Sequence, residues 1–435
     1  MSKPARPVTA FMAASLLPGV LILLIMWVLP VSGGDGDRQA MAMRGFANMW
    51  AAGQAVAGGN TGVLFDQPAY AAFVRGLFGK AFTEQMWGYP PPALLLAVPF
   101  AMLPMLAGFM MWTFGTLALF WAAMRRCGMA AGVAAAAIAS PAALDGALSG
   151  QNGALTATAL AGGLLLVGTR PVAAGVLLGL LALKPQLALL IPVCLIAAGY
   201  WRAALAAAAT AGVLAAASGL CFGWDTWLHF ATDTRGFMAA VLAQPWTGAP
   251  AQANFTSPFF GARAMGAPLW LAWGVQASAS AACAALAWRL WRMRGCDPVM
   301  RMAVTVPLAL LATPYSHNHD LVVSAAAAAA VGAAALRGRW LPGERVVLGL
   351  AWAWPGLSPL LAALVPASAA FAAVTACAGL SGTAWCAWRR LDPGGADRRR
   401  SARPRVNELV LAGQGRGGPP TPSRDLVPCS DLLAS

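Results

Sequence analysis

The chain has 435 residues, 59% of them hydrophobic and only 10% charged, with a mean hydropathy of +0.65. Soluble domains are roughly 45–50% apolar and about 25% charged, so a soluble enzyme, a disordered chain and a disulfide-rich secreted module are all excluded. What remains is an all-α polytopic membrane protein. In such a protein the formal charge of +14 orients the chain, because loops rich in Lys and Arg stay in the cytoplasm, and a nucleic-acid partner is not expected.

In chain order, residues 1–10 are expected as a cytoplasmic N-terminus and 11–31 as an uncleaved first span, since Lys3 and Arg6 precede it and no small-residue cleavage site follows. Residues 32–90 form a first outer loop. Within it Phe46, Met49, Trp50, Gly53 and Val56 follow helical spacing up to Gly58-Gly59-Asn60. Asp66 is placed to cap a second helix carrying Tyr70, Phe73, Val74 and Leu77. Both are expected to lie in the membrane interface.

Apolar sequence is then almost continuous to Trp388. Spans are expected near 105–124, 129–146, 151–168, 203–222, 266–288, 298–314, 320–336, 344–364 and 366–388. The pieces 171–183 and 186–199 are each about 20 Å long as helices, against a hydrocarbon core of about 30 Å. They are expected as a pair of short spans meeting at Lys184-Pro185, and 91–103 as a shallow or re-entrant helix. The bundle, 11–388, therefore holds about 10 to 13 transmembrane helices, with a second outer loop at 223–265.

Basic residues punctuate the apolar stretch at Arg125-Arg126, Arg170, Arg202, Arg289 to Arg294, Arg337 with Arg339, and Arg389-Arg390. Placing all of them in the cytoplasm leaves Arg38, Arg44, Arg75, Lys80, Lys184, Arg235 and Arg263 outside. The tail, 389–435, is rich in Arg, Gly and Pro and is expected as disordered cytoplasm touching anionic headgroups.

The same topology gathers the unusual polar residues on the outer side. Asp35, Asp37 and Asp66 lie in the first loop, Asp145 and Ser149 to Asn152 in an outer turn, and Lys184 and Gln186 where the short helices meet. Asp225, His229 and Asp233 open the second loop, and Thr313 to Asp320 make another turn holding two of the three histidines. Ionisable groups at membrane depth are costly and usually functional. Each also has a plainer account. Lys184 could snorkel to headgroups, Asp145 and Asp320 could cap helices, and Gln151 and Asn152 could satisfy loop backbone. His317 and His319 have no third ligand nearby at metal spacing, so zinc is not expected.

The order Phe46-x-x-x-Trp50-Ala-Ala-Gly, Gly59 to Asp66, Tyr89 to Pro92, Leu103-Pro104 and Trp112 resembles glycosyltransferase family 87. So do Ser149 to Asn152, Leu183 to Gln186, Gly223 to Trp227 and Thr313 to Asp320. The resemblance runs from about residue 10 to 390 and implies the GT-C architecture. It also implies transfer of mannose from a polyprenyl-phosphate donor to a glycolipid or glycan, on the periplasmic side of the bacterial inner membrane, by direct displacement with inversion and without a required metal or other cofactor.

In that reading Lys184 and His319 stabilise the departing lipid phosphate, while Gln151 and Asn152 contact sugar or phosphate. Tyr89 lines the lipid entrance, and Gln186, His317 and Asp320 complete the binding set. The family's Asp before the residue matching Phe46 is Gly45 here, which leaves Asp37 or Asp35 as the expected base. The alternatives are a transporter or flippase for a lipid-linked or small hydrophilic substrate, and a catalytically impaired relative.

Overall fold

The computed structural model describes residues 43–79, 82, 86–247, 252 and 254–391. The expected first span, Asp35, Asp37 and the tail from 392 lie outside the described residues. Those described are almost entirely helical, with one isolated β-bridge between Phe255 and His317.

The first loop contains both expected helices. Helix α1 (Arg44–Ala57) ends at Gly58, and α2 (Gln67–Phe78) begins at Asp66, whose carboxylate accepts the Ala69 N–H at 3.0 Å. Both pack into protein. The buried face of α1 carries Phe46, Ala47, Ala51 and Ala52, and that of α2 carries Tyr70, Val74 and Phe78, whereas Leu77 is exposed. Gly53 lets α1 lie directly on α3 (Leu94–Ala101), where a Cβ would come within 2.4 Å of the Ala97 carbonyl.

Then follow α4 (Met105–Arg126), α5 (Ala131–Ile138), α6 (Pro141–Ser149), α7 (Gly153–Leu166) and α8 (Pro171–Gly179). After these come α9 (Ile191–Ala198), α10 (Trp201–Phe222), α11 (Asp225–His229) and α12 (Arg235–Ala243). The chain closes with α13 (Pro258–Ala264), α14 (Leu269–Arg292), α15 (Pro298–Leu311), α16 (Val322–Arg337), α17 (Glu344–Leu364) and α18 (Ala369–Trp388). Among the described residues five helices are long and apolar enough to cross a bilayer: α4, α10, α14, α16 with its preceding turn, and α18. The span expected at 129–146 is bent by 50° between α5 and α6, at Ser140-Pro141. Others are short: α7 has 14 residues, about 21 Å of helix.

Burial separates the roles of these helices. The most apolar window of α10 is 11% buried and that of α14 is 17%, so both turn Trp, Leu and Val side chains outward. The corresponding window of α16 is 67% buried, and its run of alanines sits at the centre of the bundle. Apolar side chains gain little by leaving lipid for protein, so helix association relies on close packing of small residues. The α8–α10 contact illustrates this. Gly175 and Gly179, four apart, sit where a Cβ would approach the Ala203 and Ala207 carbonyls at 2.4 and 2.7 Å.

The helix stops a short way beyond that contact. Residue 185 is proline, which disfavours the helical conformation at the residue before it and removes a backbone donor. Lys184 accordingly adopts φ −148° and ψ 70° between two short 3₁₀ turns, Leu180–Leu183 and Pro185–Ala188. The expected break at Lys184-Pro185 is therefore present, and it delivers a lysine into the interior. The basic residues cluster at the opposite helix ends: Arg125 and Arg126 close α4, Arg289 and Arg292 close α14, and Arg337 closes α16.

Candidate active site

Three chain breaks meet at one end of the bundle: the α6–α7 turn, Lys184, and the turn 313–321 before α16. The last is strongly specified. Asp320 accepts the His317 N–H at 3.1 Å and donates its own N–H to the His317 carbonyl at 2.9 Å, two bonds that tie the 3₁₀ turn Asn318–Leu321 to His317. The second loop straps the turn down. The Thr256 N–H reaches the Ser316 carbonyl at 3.0 Å, and the two hydroxyls lie 2.8 Å apart.

Lys184 does not snorkel. It is 3% exposed, and its ammonium lies 2.5 Å from Asp320 Oδ1, 3.1 Å from His319 Nε2 and 3.4 Å from Asn152 Oδ1. An ammonium has only donors, so Nε2 of His319 must be the unprotonated nitrogen and the ring proton sits on Nδ1. Asp320 is wholly enclosed, with one oxygen on Lys184 and the other on the His317 N–H. The pair satisfies the rule that buried charge must be matched and hydrogen-bonded. His317 stacks on His319 with ring centroids 5.4 Å apart and lies 5.1 Å from the Phe255 ring. Burial holds its imidazole below the ordinary histidine value, against the opposing pull of Asp320.

Asp320 is the third donor that sequence spacing did not reveal beside the two histidines. The ligand atoms of His317, His319 and Asp320 lie within 4.8 Å of one another. The Lys184 ammonium already serves as the cation on two of them, and a divalent ion there would face that like charge at close range. The donor set in this arrangement fits an ammonium rather than a metal.

Beside this cluster lies a cavity of about 40 Å³, lined by Gly45, Trp87, Tyr89, Gln151, Asn152 and Leu183 among others. About 10–15 Å³ is needed for one water, so the cavity takes a few waters, and a sugar requires its walls to part. Tyr89 stacks against Trp87 at 5.1 Å, and its hydroxyl is pushed above the ordinary tyrosine value, chiefly by burial. Trp87 is 1% exposed, and its indole Nε1 donates to nothing among the described residues.

Tyr89, Gln151, Asn152, Lys184, His319 and Asp320 are thus brought together, with His317 bracing the turn. Gln186 is partly exposed and lines no part of the cavity. His229 and Asp233 pair with each other at 2.7 Å on an exposed helix surface, where His229 stacks on Phe65. Sequence reasoning passed over Trp87, whose spare donor only the fold discloses, and Arg44 and Asn318, which flank Asp145. The Asn318 amide donates to Asp145 Oδ2 at 3.1 Å and to the Pro355 carbonyl at 2.6 Å.

No curated protein and no solved structure matches the chain. The model of glycosyltransferase family 87 matches residues 87–314. That stretch includes Trp87, Tyr89, the Ser149 to Asn152 turn, Lys184 and Gly223 to Trp227, and stops just short of His317. The match covers more than half of the sequence, and with it this multi-pass helical chain belongs to glycosyltransferase family 87.

Proposed function

We propose that this membrane glycosyltransferase transfers a hexose, mannose, from a polyprenyl-phosphate donor to a lipid or glycan acceptor on the periplasmic face of a bacterial inner membrane, with inversion. The observation that carries the reading is the buried Lys184 ammonium, held by Asp320 and His319 at the edge of the Tyr89–Gln151–Asn152 cavity. Departure of a lipid phosphate leaves negative charge, and a fixed cation in an enclosed site stabilises it without reorganisation. Of the three Lys184 contacts the one to Asn152 is longest, so a phosphate oxygen replaces that partner most easily. Gln151, Asn152 and the free Trp87 donor face the sugar hydroxyls, and Tyr89 lines the way in for the prenyl chain. A carboxylate takes the acceptor proton, and Asp37 and Asp35 of the first loop are the candidates that the sequence supplies.

The test is an assay of the purified chain in lipid nanodiscs with radiolabelled polyprenyl-phosphate mannose and membrane-lipid acceptors. The expected result is labelled product that disappears in Lys184→Met. Substrate-dependent flux in liposomes without transfer from any sugar donor would overturn the reading in favour of a transporter.

A further inference from the structure

The geometry points to Asp145 as the proton acceptor of the transfer reaction, an inference that rests on the function proposed above. Two carboxylates hang from the single turn Asn318–Leu321, and they are in opposite situations. Asp320 is fully enclosed, with both oxygens committed to Lys184 and the His317 N–H. To take a proton it would have to give up the ion pair that holds the site together. Asp145, midway along α6, is only partly enclosed. One of its oxygens accepts the Asn318 amide at 3.1 Å, and the other accepts no hydrogen bond among the described residues.

Its neighbours suit the role. The adjoining Gly146 lies against His319, 4.0 Å from where a Cβ would meet the His319 side chain, so Asp145 sits one residue from the Lys184–His319 cluster. The chain then runs through Gly150 into Gln151 and Asn152 of the cavity wall. The Arg44 guanidinium is near enough to act on the carboxylate electrostatically, with no direct ion pair between them among the described residues. The Asn318 amide aims it, as the third member of a catalytic set aims a base. Asp145 also answers the question raised by Gly45. A Cβ at Gly45 would meet the Ser149 carbonyl and the Gln151 side chain at 2.7 Å, so α1 is packed too closely on the α6–α7 turn to carry a carboxylate there. The carboxylate that position 45 lacks is supplied by α6, the helix on the other side of that contact.

The step balances without a further reactant. The acceptor hydroxyl oxygen forms a bond to the anomeric carbon. The bond from that carbon to the phosphate oxygen breaks, its electron pair leaves on the lipid phosphate beside Lys184, and the hydroxyl proton passes to Asp145.

Asp145→Asn separates this role from a structural one, because an amide oxygen still accepts the Asn318 N–H. With full-length protein in nanodiscs, kcat for transfer is expected to fall at least about 100-fold. Retention of labelled donor by immobilised protein should stay within about threefold of wild type, and Asp145→Glu should recover part of the rate. The assignment is overturned if Asp145→Asn keeps its kcat, if it loses donor retention together with turnover, or if the loss falls instead on Asp37→Asn or Asp35→Asn. A wild-type chain that transfers no sugar removes the reaction and the assignment with it, whereas active wild type with an equally active Asp145→Asn removes the assignment alone.

Discussion

A methyl group at Gly45 tests how closely α1 lies on the α6–α7 turn. Two effects oppose each other. Within a helix, Gly→Ala ordinarily gains about 0.8–1.0 kcal/mol. Here the new Cβ would lie 2.7 Å from the Ser149 carbonyl oxygen and 2.7 Å from Gln151 Cδ, inside any real carbon contact. Gln151 can swing away, but the carbonyl cannot. It belongs to the end of α6, where Gly150 at φ 67° closes the helix and accepts the Trp112 indole N–H at 3.1 Å, while its own missing Cβ leaves room for Phe46. Forced overpacking costs about 1–3 kcal/mol, and with backbone as the obstacle the upper part of that range applies. Gly45→Ala is therefore expected to lose about 2 kcal/mol net.

Gly76, in α2, provides the control: nothing lies within 4 Å of its Cβ position, so Gly76→Ala is expected to gain about 1 kcal/mol. The assay is equilibrium unfolding in mixed micelles with rising SDS fraction, followed by tryptophan fluorescence. Gly45→Asp carries the same clash and pushes Gln151 out of the cavity, so it should lower transfer. Equal stabilisation by the two alanine variants, or a rate gain in Gly45→Asp, would refute the close-packing argument.

Lys184→Met leaves Asp320 buried without its cation and should cost about 3–5 kcal/mol in the same titration, while the double variant Lys184→Met/Asp320→Asn should regain most of it; equal losses in single and double variants would contradict the pairing. His317 is held below its ordinary value of 6.5 by burial, so the unfolded chain binds the extra proton first. Stability should then fall as pH drops below about 6.5, and His317→Gln should flatten that slope between pH 7 and 5. Trp87→Phe removes an indole N–H that has no partner, so stability should hold or rise. If that donor serves a sugar hydroxyl, kcat/KM should nevertheless fall about tenfold, and an unchanged value would remove Trp87 from the site.

Much of this architecture was legible because membrane sequences have few ways to be polar. Pro185 broke the helix where proline chemistry required, and Asp66 capped α2 as its position indicated. What sequence could not supply was pairing. Lys184 and Asp320 are 136 residues apart and Asp145 and Asn318 are 173 apart, and nothing in local pattern says which polar groups will share an enclosed space. The snorkelling account of Lys184 was reasonable for an isolated lysine and fails only because Asp320 waits at the same depth. Two spans, 129–146 and 151–168, differ from expectation for a related reason. Hydropathy reports that a segment is apolar, but not that Ser140-Pro141 bends it by 50° or that α7 stops after 14 residues.

Those irregularities are what make the site. A straight bundle of full-length spans would satisfy its backbone within each helix and place its loops in water. Here a bend, a proline break and a short helix end together, so three turns meet within the protein and bring a lysine, two aspartates and two histidines with them. The scarcity of charge then acts on chemistry. With few competing ions nearby, a single ammonium and the carboxylate it leaves unpaired each exert a stronger field than they would on a soluble surface. With Asp320 locked to Lys184, Asp145 is the carboxylate held at the turn Asn318–Leu321 that keeps a free oxygen among the described residues, which is the condition a proton acceptor has to meet.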